Sequence, residues 1–530
     1  MHWLAALALF AACSGCKQAP AADASNASLV LDIPNGALDP QGYTSVEIVL
    51  HEPAGDVTRT ATVDMNGNFD LDRIDPSNSV SVEATLRNAS GAAVGYGRTA
   101  VSSALATGAQ ITVPVRRPIA YIAGLVSQPP PGDPTGPLRW TEVPATFSDL
   151  SMGTGIDGRA VVGSNVVLMV GAGPNLYMVT QATSNPTGAL TGSATVLPIS
   201  AADHSVGAAL SGALTGAVID GAGSDDGATL VIATTTELFA IDTASGAARA
   251  LTDGNFARVA IVASDAGELD AIAIKNRPST TVATCAPTAE LWWVPITPGA
   301  ATPPHMVATG GFADVAADRS HAYYVDACKG ELGEVTAAAP RALRTLASSG
   351  APPGRPTALA VSGGQAYIGI ETLPAGAAPA TAALLTASIA SSDAPRSLLS
   401  EGAQQVIDVV NLAEVQRQLS ASSVVINHLE VGAGGDYVAL TTSAHFHGTE
   451  IAAAGFPDTT IDTDELRVFA TATGSAVQRY RSWCAGIVSL DPLADQFLNW
   501  ECAALAGQSV AAMATLAHHI SSMTFLFGRK

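Results

Sequence analysis

Apolar and polar positions alternate along most of this chain, and short turn-forming clusters interrupt the alternation. Residues 228–274 show it most clearly. Leu230 and Ile232, then Leu238 and Ala240, lead into an Asp-Thr-Ala-Ser-Gly turn at Asp242–Gly246. A second run starts at Val259, turns at Ala263–Gly267 and continues through Leu269, Ala271 and Ala273. Such a pattern predicts consecutive short antiparallel strands. Hairpin-like repeats of strand, turn and strand recur near residues 160–170, 217–234, 259–274, 312–325, 357–370, 426–442 and 511–527. TALAVSGGQAYIGI and LEVGAGGDYVALTT are two examples. In the centre of the chain the spacing is roughly 40 to 55 residues, the length of one four-stranded propeller blade.

The prediction is an all-β chain whose larger part, residues 138–530, is a β-propeller of about seven four-stranded blades. Wider spacing places insertions between about 371 and 510. One of them, 403–419, carries Val406, Val409, Val410 and Ala413 at i, i+3, i+4 and i+7, which predicts a helix packed on the propeller. The final strand pattern, SSMTFLFGRK, has no outer strands after it. Ring closure then borrows strands from just past the linker, at LRWTEVPATF (138–147), because an unclosed ring leaves sheet edges open.

Residues 28–116 hold about seven further candidate strands, from SLVLDI to QITVPVR, at spacings that predict a small β-sandwich over 28–118. Residues 17–27 read as a flexible spacer. The Pro/Gly-rich run SQPPPGDPTGP at 127–137 marks a boundary, and 119–137 reads as linker.

Composition narrows the partners. Apolar residues make up 48% of the 530 and charged residues only 13%, with 46 acidic against 25 basic and a net charge of −21. Nucleic acid is excluded, since it needs clustered Lys and Arg to displace counterions. Fifty Gly and 31 Pro fit a turn-dense β protein. Residues 1–12, MHWLAALALFAA, form an apolar run too short to span a bilayer but suited to the core of a signal peptide. Four of the six cysteines, Cys285, Cys328, Cys484 and Cys502, are widely spaced and predict two disulfides in an oxidising compartment. The shorter separations favour Cys285–Cys328 and Cys484–Cys502 among the three possible connectivities.

Three resemblances add to this reading. Ala-Ala-Cys13 and Ser-Gly-Cys16 both resemble the lipobox of bacterial lipoproteins, although His2 stands where that family carries Lys or Arg. It implies cleavage before Cys13 or Cys16, lipidation of that cysteine, and an exported protein anchored to the envelope, at the outer membrane. The segment around Asp64, Gly67 and Phe69 resembles the carboxypeptidase-regulatory-like and transthyretin-like sandwiches, which act as stalks or adhesive modules. ELFAIDTASGAARAL resembles the YVTN-type propeller repeat, matched at Asp242 and Gly246, with a looser copy around Asp491.

Candidate chemistry is sparse. Gly153, Gly155 and Gly158 spell GxGxxG, but an alternating strand pattern follows where a dinucleotide site needs a helix. Asp64, Asn66, Asn68 and Asp70 alternate like calcium ligands, yet the glycine is misplaced for an EF-hand and Asn66-Gly67 is a hairpin signal. His445 and His447 share a strand face at a spacing compatible with metal, and Asp462 and Asp464 lie in an acidic stretch read as a loop. These four are weak metal candidates. His428 is expected opposite roughly Ala439, and His518-His519 fall in a turn. Neither a catalytic residue nor a cofactor emerges, since GxSxG and HExxH do not occur.

The expected role is binding or scaffolding of envelope or surface proteins or glycans through the propeller face, with a lipid anchor in the membrane. Two alternatives stay open. One is an envelope enzyme (lyase, hydrolase or quinone-dependent dehydrogenase) built in the channel, which needs charged residues on inner strands that read as rich in Ala, Val and Gly. The other is a purely structural surface protein.

Overall fold

The computed structural model describes residues 16–18, 28–33, 42–52, 54–63, 81–100, 110–124, 139–144, 165–183, 190–200, 205–210, 212–264, 267–277, 287–300, 302–346, 354–372, 381–402, 421–446, 461–483, 486–490 and 520–530. It divides into two compact units, residues 1–99 with 104–117, and residues 100–103 with 118–530.

The smaller unit is a two-sheet β-sandwich. One sheet is antiparallel and orders Gly55–Thr62, Tyr43–Glu52, Ser81–Asn88 and Ala93–Arg98. The other orders Cys16–Gln18, Ser28–Asp32 and Gln110–Pro114, the last two running parallel. Alternation dictates the core: Val46, Ile48 and Leu50 on one strand meet Val82, Ala84 and Leu86 on the next, and Leu29, Leu31, Ile111 and Val113 cover them. Six of the seven candidate strands appear; the seventh, NFDLDRI, and the run from Asp64 to Asp70 lie outside the described residues.

The larger unit is a propeller of seven sheets. Blade 1 joins Ile520–Phe525 to Ile119–Gly124 and Arg139–Pro144. Blade 2 holds Asn165–Ala172, Asn175–Thr183 and Leu190–Ile199. Blade 3 holds Val218–Gly223, Thr229–Thr234, Glu237–Asp242 and Ala248–Asp253. Blade 4 holds Phe256–Ala263, Leu269–Lys275, Ala289–Pro295 and His305–Gly310. Blade 5 holds Phe312–Asp318, His321–Asp326, Glu331–Val335 and Pro340–Thr345. Blade 6 holds Arg355–Ser362, Gln365–Thr372, Thr381–Ser388 and Arg396–Gly402. Blade 7 has five strands, Ala421–Gly432, Tyr437–Phe446, Ile461–Ala470, Ser475–Trp483 and Gly486–Leu490.

The first-named strand of each blade is its inner strand. Each inner strand packs on the next, and Ile520–Phe525 packs between those of blades 7 and 2, which closes the ring. The cores lie between blades: Leu168 and Val170 meet Leu230 and Ile232, Val231 meets Val259 and Ala271, and Ile272 meets Val315 and Tyr324. Burying one such side chain is worth roughly 1.5–3 kcal/mol, so neighbouring blades stabilise each other.

Four sequence expectations change. Residues 228–274, whose pattern reads as the best-preserved single blade, span two, the outer three strands of blade 3 and the inner hairpin of blade 4. Residues 119–124, read as linker, form the middle strand of blade 1, because Ile119, Ala120, Tyr121, Ile122 and Ala123 are all buried. The borrowed strands thus come from both sides of the Pro/Gly run, Arg139–Pro144 being the expected one. The acidic stretch at Asp462 and Asp464, read as a loop, belongs to the strand Ile461–Ala470. The candidate helix at 403–419 and the GxGxxG run lie outside the described residues.

The closing junction makes a prediction. A Cβ on Gly171 would sit 2.1 Å from the Phe525 carbonyl oxygen, and Phe525 is fully buried. Phe525→Ala is expected to cost about 3–5 kcal/mol and Gly171→Ala to destabilise as well, both read as lowered urea midpoints. A wild-type midpoint in both variants would contradict the closure.

Candidate functional site

Every inner strand carries a register shift at the same place. The breaks fall between Val166 and Leu168, Val218 and Asp220, Phe256 and Arg258, Phe312 and Asp314, Pro356 and Ala358, Ile426 and His428, and Ile520 and Ser522. A bulge inserts an extra residue and re-aims the one after it. Seven bulges in register make a ring of Leu168, Asp220, Arg258, Asp314, Ala358, His428 and Ser522. Four of these seven positions are ionisable.

Three ring members staple one blade to the next. Asp220 Oδ2 accepts the Val259 amide at 2.9 Å, Asp314 Oδ2 accepts the Leu359 amide at 2.9 Å, and Ser522 Oγ accepts the Met169 amide at 3.0 Å. In each case the acceptor follows the bulge, and the donor lies one residue beyond the ring position of the next blade. Inner strands expose unpaired N–H groups along one edge, and these side chains satisfy them. Arg258 lies between the two aspartates, with Nε 3.4 Å from Asp314 Oδ1 and Nη2 donating to the Asn427 carbonyl at 3.3 Å.

The segment Leu526–Lys530 crosses the inner strands at the other end. Phe527 N donates to the Gly173 carbonyl at 3.1 Å, Arg529 exchanges both backbone bonds with Val431 at 2.8 Å, and the Lys530 carbonyl accepts the Ala317 amide at 2.9 Å. Arg529 Nη1 lies 2.6 Å from Asp318 Oδ1. Ala317 and Val431 each sit three residues past the ring, roughly 10 Å along a strand at ~3.3 Å per residue. Lys530 Nζ reaches back from there to pair with Asp220 Oδ2.

Burial and charge act together here. Burial pushes the Asp220 carboxyl up, but Lys530, Arg258 and the Val259 amide outweigh it and hold it below the ordinary range. His428 is pushed down to about 3, first by burial and then by the charges of Arg258, Lys530 and Arg277, against Asp220. Arg277 follows Lys275 of blade 4 and is pushed down to about 9 by burial and by Arg258, against Asp314 and Asp220. His428 pairs with Thr441, two residues from the expected Ala439, because the bulge after Ile426 shifts the hairpin register.

The inner strands, expected to be rich in Ala, Val and Gly, therefore carry a charged ring that the sequence reading missed. A signal existed: the residue two before each ring position is apolar, as in Val218-Ile219-Asp220, Phe256-Ala257-Arg258 and Phe312-Ala313-Asp314. Of the metal candidates, His445 and Asp462 come together as direct cross-strand partners, and Asp464 lies opposite Ser443. His447 lies outside the described residues, as do Cys13, Cys285, Cys484, Cys502, Asp491 and His518-His519. Among the described residues, no group of three His, Cys, Asp or Glu could hold a metal ion. Cys16 opens the strand Cys16–Gln18, opposite Asp32. Cys328 sits in the turn after blade 5's second strand, where its amide donates to Asp326 Oδ1 at 2.8 Å. Asp242 accepts the Ser245 amide at 2.7 Å and Gly246 takes φ 71, so both shape the outer turn of blade 3.

His428 gives a pH prediction. Its folded pKa of about 3 lies below the ordinary 6.5, so the unfolded chain takes up the proton first on acidification. The stability it contributes is present above about pH 6.5 and is lost as pH falls towards 3. Urea midpoints of wild type and His428→Gln should therefore converge as the pH is lowered from about 6.5 to about 4, within the window between the ordinary histidine value and that of His428. A constant gap over that range counts against a histidine held neutral.

No family model matches the chain, and no curated protein matches it. Solved structures similar to it include a chain of the nidogen/laminin complex, at 10% identity over 53% of this chain and 92% of that one, with a TM-score of 0.33. The tricorn protease is 8% identical over 87% of this chain and 45% of its own, with a TM-score of 0.37. Kuenenia stuttgartiensis hydrazine synthase is 11% identical over 63% of this chain and 99% of its own, with a TM-score of 0.33. At those scores none bears on what this chain does.

Proposed function

We propose that this chain is an exported, lipid-anchored envelope protein whose propeller binds or scaffolds envelope proteins or glycans through its loop-bearing face. One observation carries the binding role. Asp220, Asp314 and Ser522 are committed to backbone amides of neighbouring blades, and Leu526–Lys530 lies across the inner strands. The inner ring thus serves closure, which leaves recognition to the loops between blades. The anchor rests on the apolar run before Cys13 and Cys16 and on the small residues preceding each. The two disulfides, Cys285–Cys328 and Cys484–Cys502, belong to the same reading of an oxidising compartment.

A second reading, an enzyme in the channel, draws on the convergence of Arg258, Arg277 and His428 near Asp220 and Asp314.

Affinity capture from envelope extract, using the chain from residue 17 onward, is expected to retain a defined partner at constant stoichiometry. Capture of nothing, together with turnover of a small substrate that His428→Gln abolishes, would favour the enzyme instead. For the address, replacing both Cys13 and Cys16 by Ala is expected to move the protein from the membrane to the soluble fraction. Retention in the membrane fraction would rule out the lipid anchor.

A further inference from the structure

Three successive seams between blades are tied at the rim in the same way. The fourth strand of blade 3 sends Arg249 Nη2 to the Ile296 carbonyl, just past the third strand of blade 4. The fourth strand of blade 5 sends Arg344 to blade 6, where Nη2 donates to the Ser388 and Ser391 carbonyls and Nη1 to that of Asp393 at 2.9 Å. Between these two, the fourth strand of blade 4 opens with His305. Its Nε2 lies 2.7 Å from the Ala337 carbonyl, in the turn after blade 5's third strand. Each fourth strand thus holds carbonyls at the end of the next blade's third strand. Of the three donors, only the middle one is an imidazole.

The His305 ring faces two carbonyls, since its Nδ1 also lies 3.0 Å from the Pro303 oxygen. A carbonyl only accepts, and a neutral imidazole carries one N–H, so the doubly protonated ring alone serves both. The Ala337 carbonyl sits in a fixed turn, where Thr336 N and Oγ1 donate to the Ala339 carbonyl at 3.2 and 3.1 Å. Loss of one proton leaves the two carbonyls competing for the other and ends the charge assistance of the seam bond. Ala337 first, then Pro303, lifts the His305 pKa above the ordinary 6.5, with burial opposing.

Charged groups on the surrounding strands are engaged elsewhere. The rest of His305's own strand carries none, and its cross-strand neighbour is Trp293. Glu290 takes Asn276 Nδ2 and Trp292 Nε1, Asp270 takes the Trp293 side chain, and Lys275 donates to the Asp253 carbonyl. On blade 5, Glu334 pairs with Arg341 and lies 3.9 Å from His321, while Glu331 pairs with Lys329. None of them is ion-paired with His305 among the described residues. We propose that the rim between blades 4 and 5 is a pH-operated latch, tight while His305 carries both protons and loosened when it loses one. The rims held by Arg249 and Arg344 stay closed, because a guanidinium keeps its charge. What the latch adds to stability is present below pH 6.5 and is lost as the pH rises through the His305 value above it. It is independent of the proposed anchor and partner.

The test uses the whole chain as wild type, His305→Gln and His305→Arg. Histidine ring signals are titrated by NMR, and the signal missing from His305→Gln is expected to have its midpoint above 6.5. Hydrogen exchange, corrected for the intrinsic rate, is then compared between about pH 5.5 and about pH 8.5. In the wild type, peptides over 303–310 and 331–339 should lose protection by a few-fold at the higher pH, the size of one surface hydrogen bond. The peptide over 248–253, held by Arg249, should not. His305→Arg is expected to keep the rim protected at both values, and His305→Gln to leave it weakly protected at both. A midpoint at or below 6.5 would overturn the latch. So would unchanged wild-type protection over 303–310 and 331–339, an equal loss over 248–253, or the same pH-dependent loss in His305→Arg.

Discussion

The larger unit depends on how inner strands satisfy their exposed edges. A sheet bent into a ring of separate blades leaves one row of N–H groups per blade facing inwards, where no further strand can pair with them. Asp220, Asp314 and Ser522 solve this identically, each accepting an amide from the neighbouring inner strand. The bulge before each acceptor turns its side chain towards the next blade. Once the bulges are in register, the apolar faces of adjacent blades meet at the same height, and the cores around Leu230, Val259 and Val315 follow.

Commitment of the ring side chains to closure limits the chemistry they can perform. A carboxylate that holds a buried backbone amide is kept ionised and fixed, which suits a staple better than a proton carrier. Asp220 shows the balance, since burial opposes its charge and Lys530 restores it. His428 shows the converse: three nearby cations and deep burial keep it neutral.

Much of the fold was legible in alternation alone. The hairpins near 217–234, 259–274, 312–325, 357–370 and 426–442 are the inner pairs of blades 3 to 7, because each alternates through a short turn, at glycine in all but 312–325, where Arg319 takes φ 55. Bulges were not legible, since an extra residue leaves composition untouched and only breaks the period by one. Alternation alone therefore puts His428 opposite Ala439 and does not show the ring: Asp220, Arg258, Asp314 and His428 are far apart in sequence and meet only through closure. Ile119–Gly124 reads as linker because a proline-rich stretch follows it, yet its run Ile-Ala-Tyr-Ile-Ala is buried as a strand of blade 1.

Blade 1 joins Ile119–Gly124 to Ile520–Phe525, so the two strands that seal the ring are made some 400 residues apart. Six blades can form while the seventh waits, and the sealing pair has the largest sequence separation in the unit. Until it forms, the flanks of blades 2 and 7 stay uncovered and the chain remains open to unravelling. The same pair would be the seam at which a pulling force on the unit first takes hold.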